Sequence, residues 1–480
     1  MGVENILKKI DDVRWLLPKD YKSGMRVPGL IYADREILKG LEKERVYEQV
    51  ANVATLPGII GYSYGMPDIH WGYGFPIGGV AAMRIEDGVI SPGGVGYDIS
   101  CGVRLLVSPL EKEEVESRID LLVNRLFSAV PCGVGETGRI RLKHSELDEV
   151  LYKGAHWAVE MGYGNKEDLL CIEEGGRMKR ANPDKVSKKA KERGAPQLGT
   201  LGSGNHFLEV QYIEEVYLED IANKWGLKKG LVTVMIHCGS RGLGHQVCDD
   251  YVRLMRKKMK DYGIKVPDQQ LACVPINSRE GEDYFQAMSA ATNYAFANRE
   301  VITHWVREVF YDVFGKDAHL KLLYDVSHNI AHIERHKWDG KEIEVCVHRK
   351  GATRAFGPNS PYVPEIYRNV GQPVIIPGSM GTPSYVLLGT KRAEEEAFAS
   401  TCHGAGRVMS RHAAVRDLRG KDLTGELEEK GVKVKAREKG TLYEEAPEAY
   451  KNIDKVVDIV DRAGLSKKVV RLRPIGVIKG

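Results

Sequence analysis

The stretch Leu231-Val232-Thr233-Val234-Met235-Ile236-His237-Cys238-Gly239-Ser240-Arg241-Gly242 sets the pattern from which the fold is read. Its first six residues form an apolar, β-branched run too short for a helix, so they predict a buried strand. The run stops on a histidine, a thiol and glycines, which predicts a polar loop at the strand's end. The pattern recurs in Leu322–Val326 before Ser327-His328-Asn329, and in Glu344–Val347 before His348-Arg349-Lys350-Gly351. It recurs again in Val374–Ile376 before Pro377-Gly378-Ser379-Met380. Strands that aim loops at one place are a common way to build an active site. Between them, helical spacing predicts amphipathic helices over 35–54 and 111–130, the second burying Val115, Ile119, Leu122 and Leu126. A longer helix over 281–314 should bury Tyr284, Phe285, Met288, Tyr294, Trp305 and Val309.

The 480 residues are 42% hydrophobic and 28% charged, which is globular and excludes a disordered tail protein. A net charge of +4 neither demands nor excludes nucleic acid, so any basic surface must be local. Residues 177–193 are such a patch: Arg177, Lys179, Arg180, Lys185, Lys188, Lys189, Lys191 and Arg193 predict a basic helical insertion at about 176–195. It is either a solvated face or a track for phosphates. A mixed-charge stretch at about 419–440 predicts an exposed segment. The 52 glycines point to backbone in conformations that other residues avoid, or in close approach to a ligand. Eight cysteines without a CxxC pair do not form a disulfide framework and predict reduced, buried thiols. The first residues carry no apolar signal core, and no apolar run approaches about 18 residues. The expectation is a cytoplasmic protein.

Chemistry concentrates in glycine-rich loops. Gly93-Gly94-Val95-Gly96-Tyr97-Asp98-Ile99-Ser100-Cys101-Gly102 sets a carboxylate and a thiol three residues apart. Gly202-Ser203-Gly204-Asn205-His206 presents an imidazole beside an amide, while His237 and His328 each follow a buried strand, where an unpaired ring is costly. Together Asp98, Cys101, His206, His237 and His328 form a mixed sulfur, nitrogen and oxygen donor set. Their long separations predict a metal centre assembled by the fold rather than a clip of close pairs. His328, His332 and His336 also share helical spacing, but the strand-like context makes His332 and His336 solvated residues instead. Ser400-Thr401-Cys402-His403-Gly404-Ala405-Gly406-Arg407 lets backbone amides approach a phosphate, with Arg407 and Arg411 as anion partners. His403 could be a ligand, a base or a nucleophile. No GxxxxGK[ST] occurs, and Lys337-Trp338-Asp339-Gly340 matches the KxDG of lysine-nucleophile ligases, but Glu342 stands where their basic residue follows.

Taken together, Gly-Val-Gly-Tyr-Asp-Ile-Ser-Cys-Gly-Val-Arg, Gly-Ser-Gly-Asn-His-Phe, Ile-His-Cys-Gly-Ser-Arg-Gly-Leu-Gly, Tyr-Asp-Val-Ser-His-Asn-Ile-Ala, Pro-Gly-Ser-Met-Gly and Cys-His-Gly-Ala-Gly-Arg resemble the motifs of the RtcB family of RNA ligases, archaeal type. They occur in the family's order from about residue 60 onward. The resemblance implies one large mixed α/β (α+β) domain over 1–480, with stacked sheets and flanking helices around a deep metal-containing cleft. It implies a ligase dependent on GTP and Mn2+, two ions per site, joining RNA 2′,3′-cyclic phosphate or 3′-phosphate ends to 5′-hydroxyl ends. Its tasks would be tRNA splicing on exon halves and RNA repair, with archease as an activating partner. By the same resemblance Asp98, Cys101, His206, His237 and His328 are metal ligands, and His403 carries GMP. The GMP contacts are Asn205, His206, Phe207, Leu208, Glu209, His328, Asn329, Pro377, Gly378, Ser379, Met380, Ser384, His403, Gly404, Ala405, Gly406 and Lys479.

The residue chemistry suits this reaction. A 3′-phosphate has no good leaving group until GMP caps it, and an imidazole can carry GMP. A thiolate has several lone pairs, so Cys101 is the candidate bridge between two metals. The donor set by itself would also accept zinc. Asn205, Arg241, Lys350, Arg407 and Arg411 are candidates for holding the RNA phosphate. Asp68, in Gly65-Met66-Pro67-Asp68-Ile69-His70, either acts on the incoming 5′-hydroxyl or caps a turn. The alternatives are a metal-dependent cyclic phosphodiesterase without ligation and a non-catalytic RNA-binding protein; neither needs a guanylyl carrier.

Overall fold

A computed structural model describes residues 2–480. It is a mixed α/β structure with two large sheets. The first runs in the order Lys321–Ser327, Gly102–Glu111, Leu231–Cys238, Phe207–Val216, Ser466–Lys479, Ser384–Gly389 and Pro373–Ile376, and Lys433–Ala436 pairs in parallel with Ser466–Lys479. All its other pairings are antiparallel. Register decides what this sheet can do. Val326 pairs with Val103, Val103 with His237, His237 with Phe207, and Phe207 with Lys479, so one row crosses five strands at one end of the sheet. Cys101, His206 and His328 each stand one residue beyond a strand of this row, on the same edge.

The second sheet contains Ile59–His70, Ile77–Arg84, Lys341–Lys350 and Asn329–Trp338 as successive neighbours. His328 is the single residue between the last strand here and Lys321–Ser327 of the first sheet, so the two sheets meet at a candidate ligand. The pairing of Ile59–His70 with Ile77–Arg84 loses register between Gly65 and His70. Asp68 lies in that irregularity, where an extra residue re-aims a side chain.

The predicted 281–314 helix is Arg279–Phe314, capped by Ser278 Oγ accepting from Gly281 N at 3.1 Å. The six residues named for its buried stripe are buried, but so is nearly every position from Ala287 to Val306. A helix buried all round runs through the interior. The two amphipathic helices are each broken. Arg45 takes a left-handed conformation, φ 54°, between Arg35–Glu44 and Tyr47–Val53. Ser117 and Arg118 separate Lys112–Glu116 from Ile119–Ala129, although Val115, Ile119, Leu122 and Leu126 are all buried as the spacing predicts.

The basic stretch is mostly turns, with one short helix, Lys188–Gly194. Ion pairs join Arg180 to Glu282, Lys185 to Asp283 and Lys191 to Asp148, so much of its charge is neutralised locally. The 419–440 stretch exposes its charges yet packs Leu423, Leu427 and Val432 into a small cluster with Met380 and Val477. Lys337-Trp338-Asp339-Gly340 is a hairpin turn with φ 49° at Asp339 and 74° at Gly340, and Lys337 is exposed. No helix among the described residues is long and apolar enough to cross a membrane.

His332 and His336 are not solvated. They lie on the strand Asn329–Trp338, side chains alternate along it, and both point inward and are buried. They join a buried polar network around Glu334, which accepts from Arg349 at 2.8 and 2.9 Å, from Arg354 at 2.7 Å and pairs with His336 at 2.8 Å. Burial raises the Glu334 carboxyl, but Arg349 and Arg354 more than reverse this and hold it well below the ordinary range. A carboxyl depressed in the fold contributes stability above its unfolded pKa and loses it as pH falls through the folded value. Glu334→Gln should therefore cost roughly 3–5 kcal/mol, because it leaves buried guanidinium charge uncompensated. Chemical denaturation at neutral pH checks this, and the gap to the wild type should narrow on acidification.

Candidate active site

A cleft of about 760 Å³ opens at the edge where the two sheets meet. Asp98, Cys101, His206, His237 and His328 line one wall, and His403 to Arg407 with Pro377 to Met380 face them. Cys101 Sγ lies 3.4 Å from His206 Nε2 and 3.3 Å from His237 Nε2. His237 Nε2 is 3.3 Å from His328 Nε2, and His206 Nε2 is 2.7 Å from Asp98 Oδ2. Two donor groups result, Cys101–His237–His328 and Asp98–Cys101–His206, with the thiol common to both.

The set fits a cation. Asp98 Oδ1 is buried and has no hydrogen-bond partner, and lone pairs of three imidazoles converge where like dipoles repel. The Leu201 carbonyl accepts from His206 Nδ1 at 3.0 Å, which leaves Nε2 as the nitrogen facing Asp98 and Cys101. Burial, then neighbouring positive charge, holds His237 and His328 well below the ordinary imidazole range, so both are neutral and able to ligate. Burial and then Asp98 push the Cys101 thiol up to about 12. Burial also raises Asp98, but His206 outweighs it and the carboxyl lies well below its usual range.

His403 stands at the facing wall with its ring centroid 4.9 Å from that of His328. Its Nδ1 is 2.5 Å from Asp68 Oδ2, and the same oxygen accepts from the backbone of His403 at 2.8 Å and of Gly404 at 3.2 Å. Asp68 is fully buried, and Lys451 Nζ donates to the carbonyls of Pro67 and Ile69 on either side of it. Neither sequence reading of Asp68 included this contact with the His403 loop. The carboxylate neither faces solvent nor caps its own turn; three donors from the His403 loop occupy one oxygen. Gly406 has φ 72°, and a Cβ there would meet the Asp68 carbonyl at 2.2 Å, so only glycine lets the two segments close.

The other candidates divide by position. Asn205, His206, Phe207, His328, Asn329, Pro377 to Met380, Gly404 to Gly406 and Lys479 line the cleft. Leu208, Glu209 and Ser384 stand one layer behind: Gln211 Nε2 donates to Glu209 at 2.8 Å and to Ser384 Oγ at 3.1 Å, and Ser384 Oγ accepts from Gly378 N at 3.0 Å. Ser384, backed by Gln211 and Glu209, braces the Pro377–Met380 loop. Lys479 Nζ donates to the Gly204 carbonyl at 2.8 Å. Arg407 commits four of its five N–H donors to Met409 O, Glu444 O, Tyr450 OH and Glu445, so most of its guanidinium stiffens the rim. Arg411, with its side chain 54% exposed, and Arg241, at 3.2 Å from His206 Nδ1, still face the opening. Lys350 donates to Tyr73 O and Phe75 O at 2.6 and 3.0 Å, and burial lowers its ammonium to about 7. The sequence reading missed Tyr73, His245 and Glu445, which also line the cleft and carry no motif of their own, and gave no role to His70, which lines it too.

A family profile described as RtcB, tRNA-splicing ligase RtcB, matches residues 49–480. A tRNA-splicing ligase RtcB of Archaeoglobus fulgidus is 60% identical over 483 residues, covering 100% of both chains. One of Thermococcus kodakarensis is 57% identical over 99% of each chain. An RNA-splicing ligase RtcB of Mycobacterium tuberculosis is 54% identical over 90% of this chain and all of its own.

To ligate, the Cys101 thiol must lose its proton. So must His206: burial lowers its ring, but Cys238 and Asp98 hold it well above the ordinary imidazole range. Uptake of a divalent cation should therefore release protons, and affinity should fall by at least about tenfold per unit of pH decrease. Calorimetry in buffers of different ionisation enthalpy measures the release. Cys101→Ser should weaken uptake by roughly a hundredfold, while Cys273→Ser, whose thiol is buried away from any donor cluster, should not change it.

Proposed function

The chain belongs to the tRNA-splicing ligase RtcB family, and from that premise we propose that it is an RNA ligase that seals 2′,3′-cyclic phosphate or 3′-phosphate ends to 5′-hydroxyl ends with GTP and Mn2+. The observation that carries the reading is the Asp68–His403 pair facing the donor set across the cleft. Asp68 fixes the proton on His403 Nδ1, orients the ring and stabilises positive charge on it, which leaves Nε2 as the nucleophilic nitrogen. His403 Nε2 attacks the α-phosphorus of GTP, a P–N bond forms and pyrophosphate leaves. The 3′-phosphate of RNA, reached by hydrolysis where the end is cyclic, then takes GMP from His403 and restores the imidazole. The incoming 5′-hydroxyl attacks the activated 3′-phosphorus, loses its proton, and GMP leaves.

Asp98, Cys101, His206, His237 and His328 would hold two manganese ions, with Cys101 shared. Bound there, the ions supply neutralisation of phosphoryl oxygens in each transfer. Pro377 to Met380, Gly404 to Gly406, Asn205 and Lys479 surround the volume open to GMP. Backbone amides and small side chains suit a nucleotide held closely. Arg241 and Arg411, which still face the opening, are cations placed to meet RNA phosphate. Intron-containing tRNA halves are the substrates that the relatives' names support, RNA repair and activation by archease extend the same reading, and eight unpaired cysteines suit the cytoplasm.

Incubation with α-labelled GTP and manganese should label the wild type and Lys337→Ala but not His403→Ala, and the label should be acid-labile and stable to base. Labelling of His403→Ala would put GMP on another residue, whereas a wild type that opens cyclic phosphate without ever carrying GMP would favour the hydrolase. Asp68→Asn should slow self-guanylylation by at least about a hundredfold, since the ring loses its fixed tautomer. Sealing of RNA already bearing the 3′-GMP cap should be slowed much less; single-turnover assays of the two steps give the ratio.

A further inference from the structure

We infer that Arg299 is a positioning residue that clamps the three segments carrying Cys101, His237 and His328 into one metal-binding geometry. The inference rests on the metal reading proposed above and concerns a residue in none of the glycine-rich loops. Arg299 lies in the middle of the interior helix Arg279–Phe314 and is fully buried. Its Nη1 donates to the carbonyl of Ser100 at 2.9 Å, next to Cys101, and to the carbonyl of Cys238 at 2.8 Å, next to His237. Its Nε and Nη2 donate to the Asp325 carboxylate at 2.8 to 3.0 Å, on the strand that leads to His328. One planar group thus spans three segments, and a guanidinium alone among side chains has the fork to do so.

The surroundings show that the clamp is tight. Ser100 is a non-glycine residue with φ 56°, a conformation that costs about 1–2 kcal/mol. It is held there on three sides: its N–H donates to Asn329 O at 2.8 Å, its hydroxyl meets Ser327 Oγ at 2.6 Å, and its carbonyl takes Arg299. That conformation sets the direction in which the next residue, Cys101, leaves the loop. A Cβ at Gly102 would come within 2.5 Å of Val326 O and 3.2 Å of Arg299 Nη1. Asp325 is shared with Arg104, whose Nε donates to it at 2.7 Å, so the carboxylate is itself immobilised. Outer groups that orient metal ligands typically matter about 10- to 100-fold in metal affinity.

The test is titration of the full-length, metal-stripped chain with cobalt(II), following affinity and the thiolate-to-cobalt absorption band, with thermal unfolding measured beside it. Arg299→Lys keeps the charge and loses the fork; it should bind cobalt about 10- to 100-fold more weakly, with a shifted band. The control is Arg307→Met, about two turns further along the same helix, where Arg307 pairs with Asp168 at 2.6 and 2.8 Å. It should lower the thermal midpoint and leave cobalt affinity and band as in the wild type. Asp325→Asn keeps the volume and weakens the clamp from its other side, so it carries the same measurement, with a smaller shift, should Arg299→Lys fold poorly. Wild-type affinity and band in the folded Arg299→Lys protein, or an equal loss in Arg307→Met, overturns the clamp alone. A wild type that takes up no cobalt overturns the metal reading and the clamp with it.

Discussion

Neighbouring strands lie about 4.8 Å apart, and a metal–ligand bond is about 2.0–2.3 Å long. Donors at the ends of adjacent strands in one register are therefore spaced to share an ion. The rest of the structure depends on that coincidence being enforced at one edge of the first sheet. The row through Val326, Val103, His237, Phe207 and Lys479 places the ends that carry the candidate donors side by side. Donors so placed repel one another, and a register slip of one residue would turn each side chain to the opposite face. Long paired strands and the buried helix behind them resist both.

The second wall follows from the first. His328 joins the sheets, so the strand irregularity that carries Asp68 and the loop that carries His403 have a fixed relation to the ligand edge. The pair Asp68–His403 is separated by hundreds of residues in sequence and by one hydrogen bond in space. Lys451, Gly406 and the Leu208–Glu209–Ser384 layer act on the same region from behind, which is why few of the glycine-rich loops are free to drift.

Much of this was legible in the sequence, and the parts that were not have physical reasons. Short apolar runs ending in histidine or glycine marked four of the strands that feed the cleft. The five candidate ligands stood out because strand-end imidazoles and a thiol need a reason to be buried. Helical periodicity found the buried stripes over 35–54 and 111–130 but not the breaks at Arg45 and Ser117, because a single left-handed or kinked residue leaves the stripe almost in phase. His332 and His336 were misplaced because polar residues buried on a strand look solvated until their partners are known, and Glu173, Arg349 and Arg354 come from distant segments. Asp68 was found by motif, but its contact with the His403 loop was not legible, because the two segments lie far apart in sequence. Arg299 was invisible: inside a long helical pattern, nothing distinguishes a cation buried among carbonyls from one that reaches solvent.

The strand Ser466–Lys479 lies inside the first sheet, between Phe207–Val216 and Ser384–Gly389. It fills an interior place in the sheet with a segment that follows both of its neighbours in the chain and so leaves a ribosome after them. Until it arrives, the sheet is two pieces with open hydrogen-bonding edges facing each other, the condition in which strands pair with wrong partners. Closure is a long-range event, slow by comparison with helix formation. The strands Lys321–Ser327, Gly102–Glu111, Leu231–Cys238 and Phe207–Val216 all lie on one side of that gap, so the edge that gathers Cys101, His206, His237 and His328 can pair before Ser466–Lys479 closes the sheet.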